Sequence, residues 1–186
     1  CIKGFDCYYS GDVEVAVKEA MYRGGKSYDV FKNVLVTNCV IWNDWGKCLE
    51  IGAETRAEEM CDVVFEKCHI IHVTGSPLDC MNVDYADVHD ITYRDISVEY
   101  DDEIPMPLIQ KSDSHKYENE NPNFAPYAVC VEVMFHHEYS AGGDRRGKNR
   151  RLSFENIRLY GRQQPSFVFA FVGSPQRFTT SVGLYH

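Results

Sequence analysis

This sequence of 186 residues lacks two features and has little of a third, and each of these observations argues against a class of protein. No run of 18 consecutive apolar residues occurs, so we do not expect a helix that spans a membrane. No Cys-x-x-Cys pair occurs among the eight cysteines, which argues against the common kind of structural zinc site. Basic residues are few: 19 Lys and Arg stand against 28 Asp and Glu, and a net charge of −9 makes nucleic acid a poor expected partner.

The residues that are present have the composition of a globular domain. The chain is 44% hydrophobic and 25% charged, which argues against disorder, and its length suits one domain with a full core. It begins with Cys1-Ile2-Lys3, which has the pattern of a strand interior. We therefore interpret residues 1–186 as a single domain that is incomplete at its N-terminus, with any signal segment upstream of Cys1.

A repeat organises the chain. Residues 34–41 recur in the same pattern at residues 63–70, 91–98 and 152–159, with starts separated by 29, 28 and 61 residues, the last close to two periods. Each copy is apolar at its first, third, sixth and eighth positions and polar at its fifth. This pattern indicates two short β-strands that meet at a bend.

A second set of similar segments runs out of phase with the first. Its members are Cys48-Leu49-Glu50-Ile51, Cys80-Met81-Asn82-Val83 and Cys130-Val131-Glu132-Val133. The steps between them are 32 and 50 residues. The longer step contains residues 101–126, a polar stretch with four prolines that we interpret as a loop inserted into one repeat.

Several strands in each repeat, with no convincing helix between them, predict an all-β fold, and specifically a right-handed single-stranded parallel β-helix. Strand alternation would turn the apolar residues of the second set inward and stack Glu50, Asn82 and Glu132 in an outward column, with Lys3 as a fourth member. The three cysteines that open the segments of the second set would form one interior column. We expect free thiols there, since parallel ladders seldom supply the dihedral angle of a disulfide.

Two stretches of the sequence carry a resemblance to a known family. Gly46-Lys47-Cys48-Leu49-Glu50-Ile51-Gly52-Ala53-Glu54 is followed by Val63-Val64-Phe65-Glu66-Lys67-Cys68. They resemble the polygalacturonase family of glycoside hydrolases, in which a Gly-His-Gly-x-x-Ile-Gly-Ser segment precedes the next coil in the same way. Cys1-Ile2-Lys3, followed by Ser10-Gly11, is similar to the stretch directly after that family's Asp-Asp pair. The resemblance extends to about Tyr100 and implies a pectate-lyase-like solenoid that hydrolyses glycosidic bonds.

The positions that this family uses for its chemistry differ here. Its Asn-x-Asp and Asp-Asp elements, which supply the general acid and the water-activating carboxylates, would lie before Cys1. Its catalytic-site His corresponds to Lys47, and its Arg-x-Lys, which grips a galacturonate carboxylate, corresponds to Asn82-Val83-Asp84. An amide and a carboxylate in place of two cations would repel a uronate, so we expect a substrate other than polygalacturonate.

The candidate site residues lie along the second set of segments and in the turn before it. Glycoside hydrolysis needs a pair of carboxyl groups, and the apolar face of an exposed Trp ring can stack on a sugar. The candidate catalytic residues are Asp44, Glu50 and Asp84, with Asp79 as a further carboxylate that could complete a pair. The candidate substrate-binding residues are Lys3, Trp42, Trp45, Lys47, Asn82 and Glu132. The structural alternatives are a solvated strand face, a turn role for Asp44 and burial of the tryptophans at a corner.

The histidines and carboxylates do not predict a metal or any other cofactor. His136 and His137 in a strand would point to opposite faces, and His69 and His72 would need a third oriented ligand. Residues 101–103 resemble calcium-binding carboxylates, but consecutive carboxylates more often face water.

Three functions are compatible with these observations, and the expected partner is an oligosaccharide or polysaccharide. The first is a glycoside hydrolase that acts on a neutral or partly neutral plant or microbial polysaccharide, with part of its active site expected upstream of Cys1. The second is a non-catalytic solenoid that binds glycan or serves as a spacer, consistent with the missing His and Arg-x-Lys. The third is a calcium-dependent polysaccharide lyase, which needs a basic groove that a chain of net charge −9 hardly offers.

Overall fold

The computed structural model describes residues 28–43, 47–52, 55–73, 75–100, 127–134, 140 and 145–161. These residues form β1 (Tyr28–Thr37), β2 (Val40–Trp42), β3 (Leu49–Ile51), β4 (Ala57–Glu66), β5 (His69–Val73), β6 (Leu78–Asn82), β7 (Asp87–Tyr100), β8 (Val129–Val133) and β9 (Lys148–Tyr160). Strands and their connections account for the whole of the described chain, which confirms the all-β prediction. No helix within these ranges is long and apolar enough to cross a membrane. The predicted inserted loop, residues 101–126, lies outside them.

The strands pair in parallel and form two sheets. In the larger sheet β1 pairs with β4, β4 with β7 and β7 with β9, while β2 pairs with β5 and β5 with the second half of β7. The smaller sheet has the order β3-β6-β8. Along the chain, strands of the larger sheet alternate with strands of the smaller sheet. From β4 onward, each new strand pairs with an earlier strand of the same sheet.

The register predicted for the larger sheet is confirmed. Val34 pairs with Val63, Val63 with Ile91, and Ile91 with Leu152, which are the first positions of the four repeat copies. The last three of these side chains are buried in the main core, and Val34 packs against it. The repeat period is therefore the length of chain that separates one strand from its neighbour in the sheet.

The polar fifth position of the repeat is where each strand bends. Its four occupants have left-handed backbone: Asn38 (φ 56°), Lys67 (φ 53°), Asp95 (φ 54°) and Asn156 (φ 50°). A second column of left-handed residues precedes the repeat and consists of Asn33, Asp62, Asp90 and Arg151. Asn and Asp tolerate this conformation better than other non-glycine residues, and they occupy most of these positions. The bends thus recur at two fixed places in every copy.

An aromatic ladder fills the core at the third position of the repeat. The rings of Phe65, Tyr93 and Phe154 stack with centroids 4.9 and 4.8 Å apart, as expected for neighbouring strands. The buried Tyr93 hydroxyl donates a hydrogen bond to the backbone carbonyl of Asp79 on β6, at 2.7 Å. This bond joins the larger sheet to the smaller one across the core.

The register predicted for the smaller sheet is wrong. Leu49 pairs with Leu78, so the step from β3 to β6 is 29 residues, not 32. Cys130 lies opposite Asp79 instead of Cys80, and the predicted column of three cysteines does not form. Cysteine is a small apolar residue that is buried on either face of this sheet, so it does not mark the register. The six cysteines in the described ranges are nonetheless buried and form no disulfide bond with one another, as expected for Cys48, Cys80 and Cys130.

Candidate functional site

The smaller sheet has an inner face that is apolar except at Asn82 and a polar outer face. Leu49, Leu78 and Cys80 belong to the main core, so the alternate residues of their strands point outward. Those outward positions are Glu50 on β3, Asp79 and Met81 on β6, and Cys130 and Glu132 on β8. Together with Lys47, which precedes β3, we call these residues the outer-face cluster.

Lys47 joins two carboxylates of this cluster. Its Nζ donates to Glu50 Oε1 at 3.1 Å and to Asp79 Oδ1 at 2.9 Å, and it lies 3.2 Å from Met81 Sδ. Side-chain exposure falls from 29% for Lys47 to 5% for Glu50 and 0% for Asp79. The Lys47 side chain is therefore partly accessible, whereas the two carboxylates that it joins are almost entirely buried.

Asp79 is a strongly perturbed carboxyl group. Burial raises its pKa to about 6 against the opposing attraction of Lys47, and the charge of Glu132 adds to the increase. Its Oδ2 atom is buried and has no hydrogen-bond partner within the described part of the chain. A carboxyl group with a pKa near 6 gains and loses its proton close to neutral pH, which is the property required of a general acid or base.

For Lys47 the attraction of the opposite charges, and not burial, decides the direction of the pKa shift. Burial alone would lower its pKa, but the carboxylates of Asp79 and Glu50 raise the pKa well above the ordinary value for lysine. The side chain is therefore charged throughout the physiological range. It supplies a fixed positive charge and hydrogen-bond donors, unlike an imidazole, which titrates near neutral pH.

Asn82 does not belong to the predicted outward column. It is fully buried, and its Nδ2 donates to Asn149 Oδ1 at 3.0 Å while its Oδ1 accepts from Thr55 Oγ1 at 2.6 Å. The prediction was wrong because the assumed step of 32 residues put Asn82 beside Glu50. The observed pairing puts Asp79 there.

Asp84 is also an interior residue. Its Oδ2 accepts a hydrogen bond from the backbone N–H of Thr55 at 3.1 Å and lies 3.7 Å from Arg56 Nε. Its own backbone N–H donates to Thr55 Oγ1 at 3.0 Å. These contacts hold the chain that enters β4 against the end of β6. The two residues aligned with the family's Arg-x-Lys thus pack inside the fold and are not surface ligands.

The other predicted binding residues have different positions. Trp42 on β2 is exposed, at 48%, and its ring stacks on His72 with centroids 4.4 Å apart. Glu132 is half-buried in the outer-face cluster. Lys3, Asp44 and Trp45 lie outside the described residues.

Sequence reasoning assigned Asp79 only a secondary place, as one carboxylate that could complete a pair. The repeat contained a stronger signal. The first step of the larger sheet is 29 residues, and the same step from Glu50 leads to Asp79. Applying the period of one sheet to the other would have identified the pair.

A separate group of side chains in the larger sheet has the composition of a metal site. The potential ligand atoms of Glu59, Cys61 and His89 all lie within 4.8 Å of one another. The sequence analysis did not find this group, because its members lie on two strands and match no local motif.

Comparisons of the chain with family models, with curated proteins and with solved structures found no match. The chemistry of the outer-face cluster therefore has to be judged from its own residues.

Proposed function

We propose that this chain is a polygalacturonase-like glycoside hydrolase that cleaves glycosidic bonds in a neutral plant or microbial polysaccharide. The observation that carries this proposal is the pair of carboxyl groups in the outer-face cluster. Asp79 has a pKa raised to about 6, and Glu50 lies next to it, joined through Lys47. Hydrolysis of a glycosidic bond requires two carboxyl groups, one of which holds a proton at the working pH.

The fold that we propose for the hydrolase is a right-handed single-stranded parallel β-helix. The alternation of the chain between two parallel sheets supports a solenoid, and the same 29-residue step in both sheets supports one stack of coils. Connections between parallel strands of a sheet are right-handed in nearly all proteins, which favours that hand.

Each member of the cluster has a role in this proposal. Asp79 is the general acid, which protonates the leaving oxygen of the glycosidic bond. Glu50 is the ionised partner that activates water or attacks the sugar. Lys47 is a positioning residue, because its fixed charge and its two hydrogen bonds hold both carboxyl groups in place.

The charge of the cluster supports a neutral substrate. Glu50, Asp79 and Glu132 are three acidic groups, and Lys47 is the single cation among the cluster residues defined above. A polyuronate would bring further negative charge to this surface and would be repelled. This reason replaces the one based on Asn82 and Asp84, which are interior residues.

The second candidate function is a non-catalytic solenoid that binds glycan or serves as a spacer. One observation favours it: Glu50 and Asp79 are almost entirely buried and already share one ammonium group. In that case the cluster would be an ion pair that stabilises the sheet, and it would not contact a sugar.

Turnover by matched variants tests the proposal. We expect the protein to release reducing ends from at least one neutral polysaccharide and none from polygalacturonate. Asp79→Asn should lower that turnover by about 100-fold or more, since a general acid contributes at least this much. Glu155→Gln, which neutralises an exposed carboxylate on β9, is the control and should leave turnover unchanged.

Two outcomes would contradict the hydrolase proposal. One is equal turnover by Asp79→Asn and the unmodified protein. The other is glycan binding without any turnover, together with a large loss of thermal stability in Asp79→Asn, which would favour the non-catalytic solenoid.

A further inference from the structure

Three potential metal ligands converge on neighbouring strands of the larger sheet. Glu59 and Cys61 lie two residues apart on β4, and His89 lies directly opposite Cys61 on β7. Glu59 Oε1 is 2.8 Å from His89 Nε2. Cys61 and His89 are 4% and 7% exposed, and Glu59 is half-buried. A carboxylate, a thiol and an imidazole thus meet just beneath the surface.

We propose that Glu59, Cys61 and His89 bind a divalent transition-metal ion, with Zn²⁺ as the best chemical match. Thiolate, imidazole and carboxylate are the ligands that zinc prefers, whereas calcium and magnesium take oxygen ligands. Ligand atoms around a tetrahedral zinc ion are about 3.3 to 3.8 Å apart, given the usual bond lengths. The observed atoms all lie within 4.8 Å of one another, so small side-chain movements would close the site.

The second nitrogen of His89 has the partner that metal-bound histidines commonly have. Its Nδ1 lies 2.6 Å from Asp90 Oδ2. Arg151 donates from Nε to Asp90 Oδ1 and from Nη2 to Asp90 Oδ2, both at 2.6 Å. With the guanidinium holding both of its oxygens, the Asp90 carboxylate is placed to accept a proton from His89 Nδ1. A proton on Nδ1 leaves the lone pair of Nε2 directed at the proposed metal position.

The charge of the ligand set also suits a divalent cation. The thiolate and the carboxylate together carry two negative charges, and the imidazole is neutral. Metal binding would displace the Cys61 thiol proton and the proton between His89 and Glu59, and both would pass to solvent. Three protein ligands leave the fourth tetrahedral position for water.

The same geometry has a simpler explanation that must be distinguished from a metal site. A protonated His89 can form ion pairs with Glu59 and Asp90 without any metal. Arg151 Nη2 also pairs with Asp90 Oδ2 at 2.6 Å, so the histidine and the guanidinium would share this carboxylate in a network of ion pairs. The two explanations differ at Cys61, because the ion pairs do not use the thiol and the metal does.

Metal titration of the chelator-treated full chain tests this inference, which does not rest on the proposed hydrolase activity. We expect calorimetry with Zn²⁺ alone to give one saturable site per chain. Titration with Co²⁺ should give a thiolate-to-cobalt charge-transfer absorption. Cys61→Ser should abolish that absorption, and both Cys61→Ser and His89→Gln should weaken Zn²⁺ binding by at least tenfold. Asp90→Asn should weaken it by about 10- to 100-fold through the orientation of His89.

Matched controls keep the test informative. Cys39→Ser removes another buried thiol and His69→Gln an exposed imidazole, and neither should change Zn²⁺ or Co²⁺ binding. Circular dichroism would establish that each variant is folded. Glu59→Gln tests the third proposed ligand at a half-buried position, where the substitution disturbs the core least. Absence of saturable binding, or an unchanged charge-transfer absorption in Cys61→Ser, would overturn the proposal in favour of an ion-pair network.

Discussion

The two sheets share a 29-residue step but differ in where they keep their polar groups. The larger sheet turns apolar residues and an aromatic ladder into the core, and most of its polar groups lie at the bends and on the surface, with His89 and Asn149 as buried exceptions. The smaller sheet is built from strands of three to five residues and carries polar groups on both faces. Its outer face holds the outer-face cluster, and its inner face holds buried Asn82. Buried polar and charged side chains, which are costly to remove from water, are thus concentrated in the smaller sheet.

The difference also shows what each sheet requires of its residues. In the larger sheet a substitution that keeps an apolar side chain in the core preserves the pattern. In the smaller sheet the buried polar groups need specific partners, because a buried donor or acceptor without a partner costs about 1 to 3 kcal/mol. We therefore expect substitutions in the smaller sheet to have the larger effects.

The largest effect on stability is expected at Gly52, the residue directly after β3. Its φ is 131°, and a Cβ atom there would lie 2.1 Å from the carbonyl oxygen of Met81. Gly52→Ala should lower the free energy of unfolding by roughly 3 to 5 kcal/mol, from backbone strain and overlap together. Gly161→Ala is the control, because this exposed glycine has a similar φ of 129°. Equal losses in urea denaturation would show that β3 and β6 do not approach each other as described.

A smaller loss is expected when Asn82 is replaced by an apolar residue of similar size. Asn82→Leu removes the acceptor of the Thr55 hydroxyl and the donor to Asn149 Oδ1, so we expect a loss of about 3 kcal/mol in the free energy of unfolding. Thr92→Val makes a comparable polar-to-apolar change on the larger sheet and should cost less than about 0.5 kcal/mol. Similar values for the two variants would remove the proposed contrast between the sheets.

Asp79 should make stability depend on pH. Its pKa is raised in the folded chain from 3.8 to about 6, so the folded chain binds this proton more tightly than the unfolded chain does. Its contribution to stability is present below about pH 4 and is lost as the pH rises through about 6. The stability of the unmodified chain relative to Asp79→Asn should therefore fall by about 2 to 3 kcal/mol between pH 4 and pH 7. Denaturation at both pH values measures this, and an increase would contradict it.

The smallest effect is expected at the bends of the larger sheet. Lys67 has a φ of 53° at a position where the other copies have Asn or Asp. Lys67→Asn should raise the free energy of unfolding by about 0.5 to 1 kcal/mol, because asparagine tolerates left-handed backbone better. Lys32→Asn, at an exposed strand position, is the control and should bring no gain. A lower melting temperature for Lys67→Asn would argue against this bend.

The register of the larger sheet could be predicted because its apolar residues recur at a nearly constant step. Val34, Val63 and Ile91 mark that step, and their polar fifth-position companions mark the bends. The second column of bends was missed, although Asn33, Asp62 and Asp90 recur with the same step. Left-handed residues are not specified by hydrophobic pattern, so they require attention to Asn and Asp separately.

The register of the smaller sheet could not be predicted from its cysteines. Cys80 faces the main core and Cys130 faces Asp79 on the other side, and both are buried. Side chains of a strand alternate between the two faces of the sheet. A residue type that is buried on either face therefore cannot indicate the register. The candidate site was accordingly predicted in part: Lys47 and Glu50 are together, and Asp79 takes the place assigned to Asn82.

We infer that burial holds Asp79 as a weak acid, and that this residue is not simply the anionic half of an ion pair with Lys47. The most direct measurement is a carbon-detected NMR titration of the Asp79 carboxyl group in the full chain, assigned with Asp79→Asn. We expect a midpoint near pH 6, because burial outweighs the attraction of Lys47. A midpoint below about 4 would contradict it, since the ion pair would then dominate and Asp79 would have no proton to donate near neutral pH.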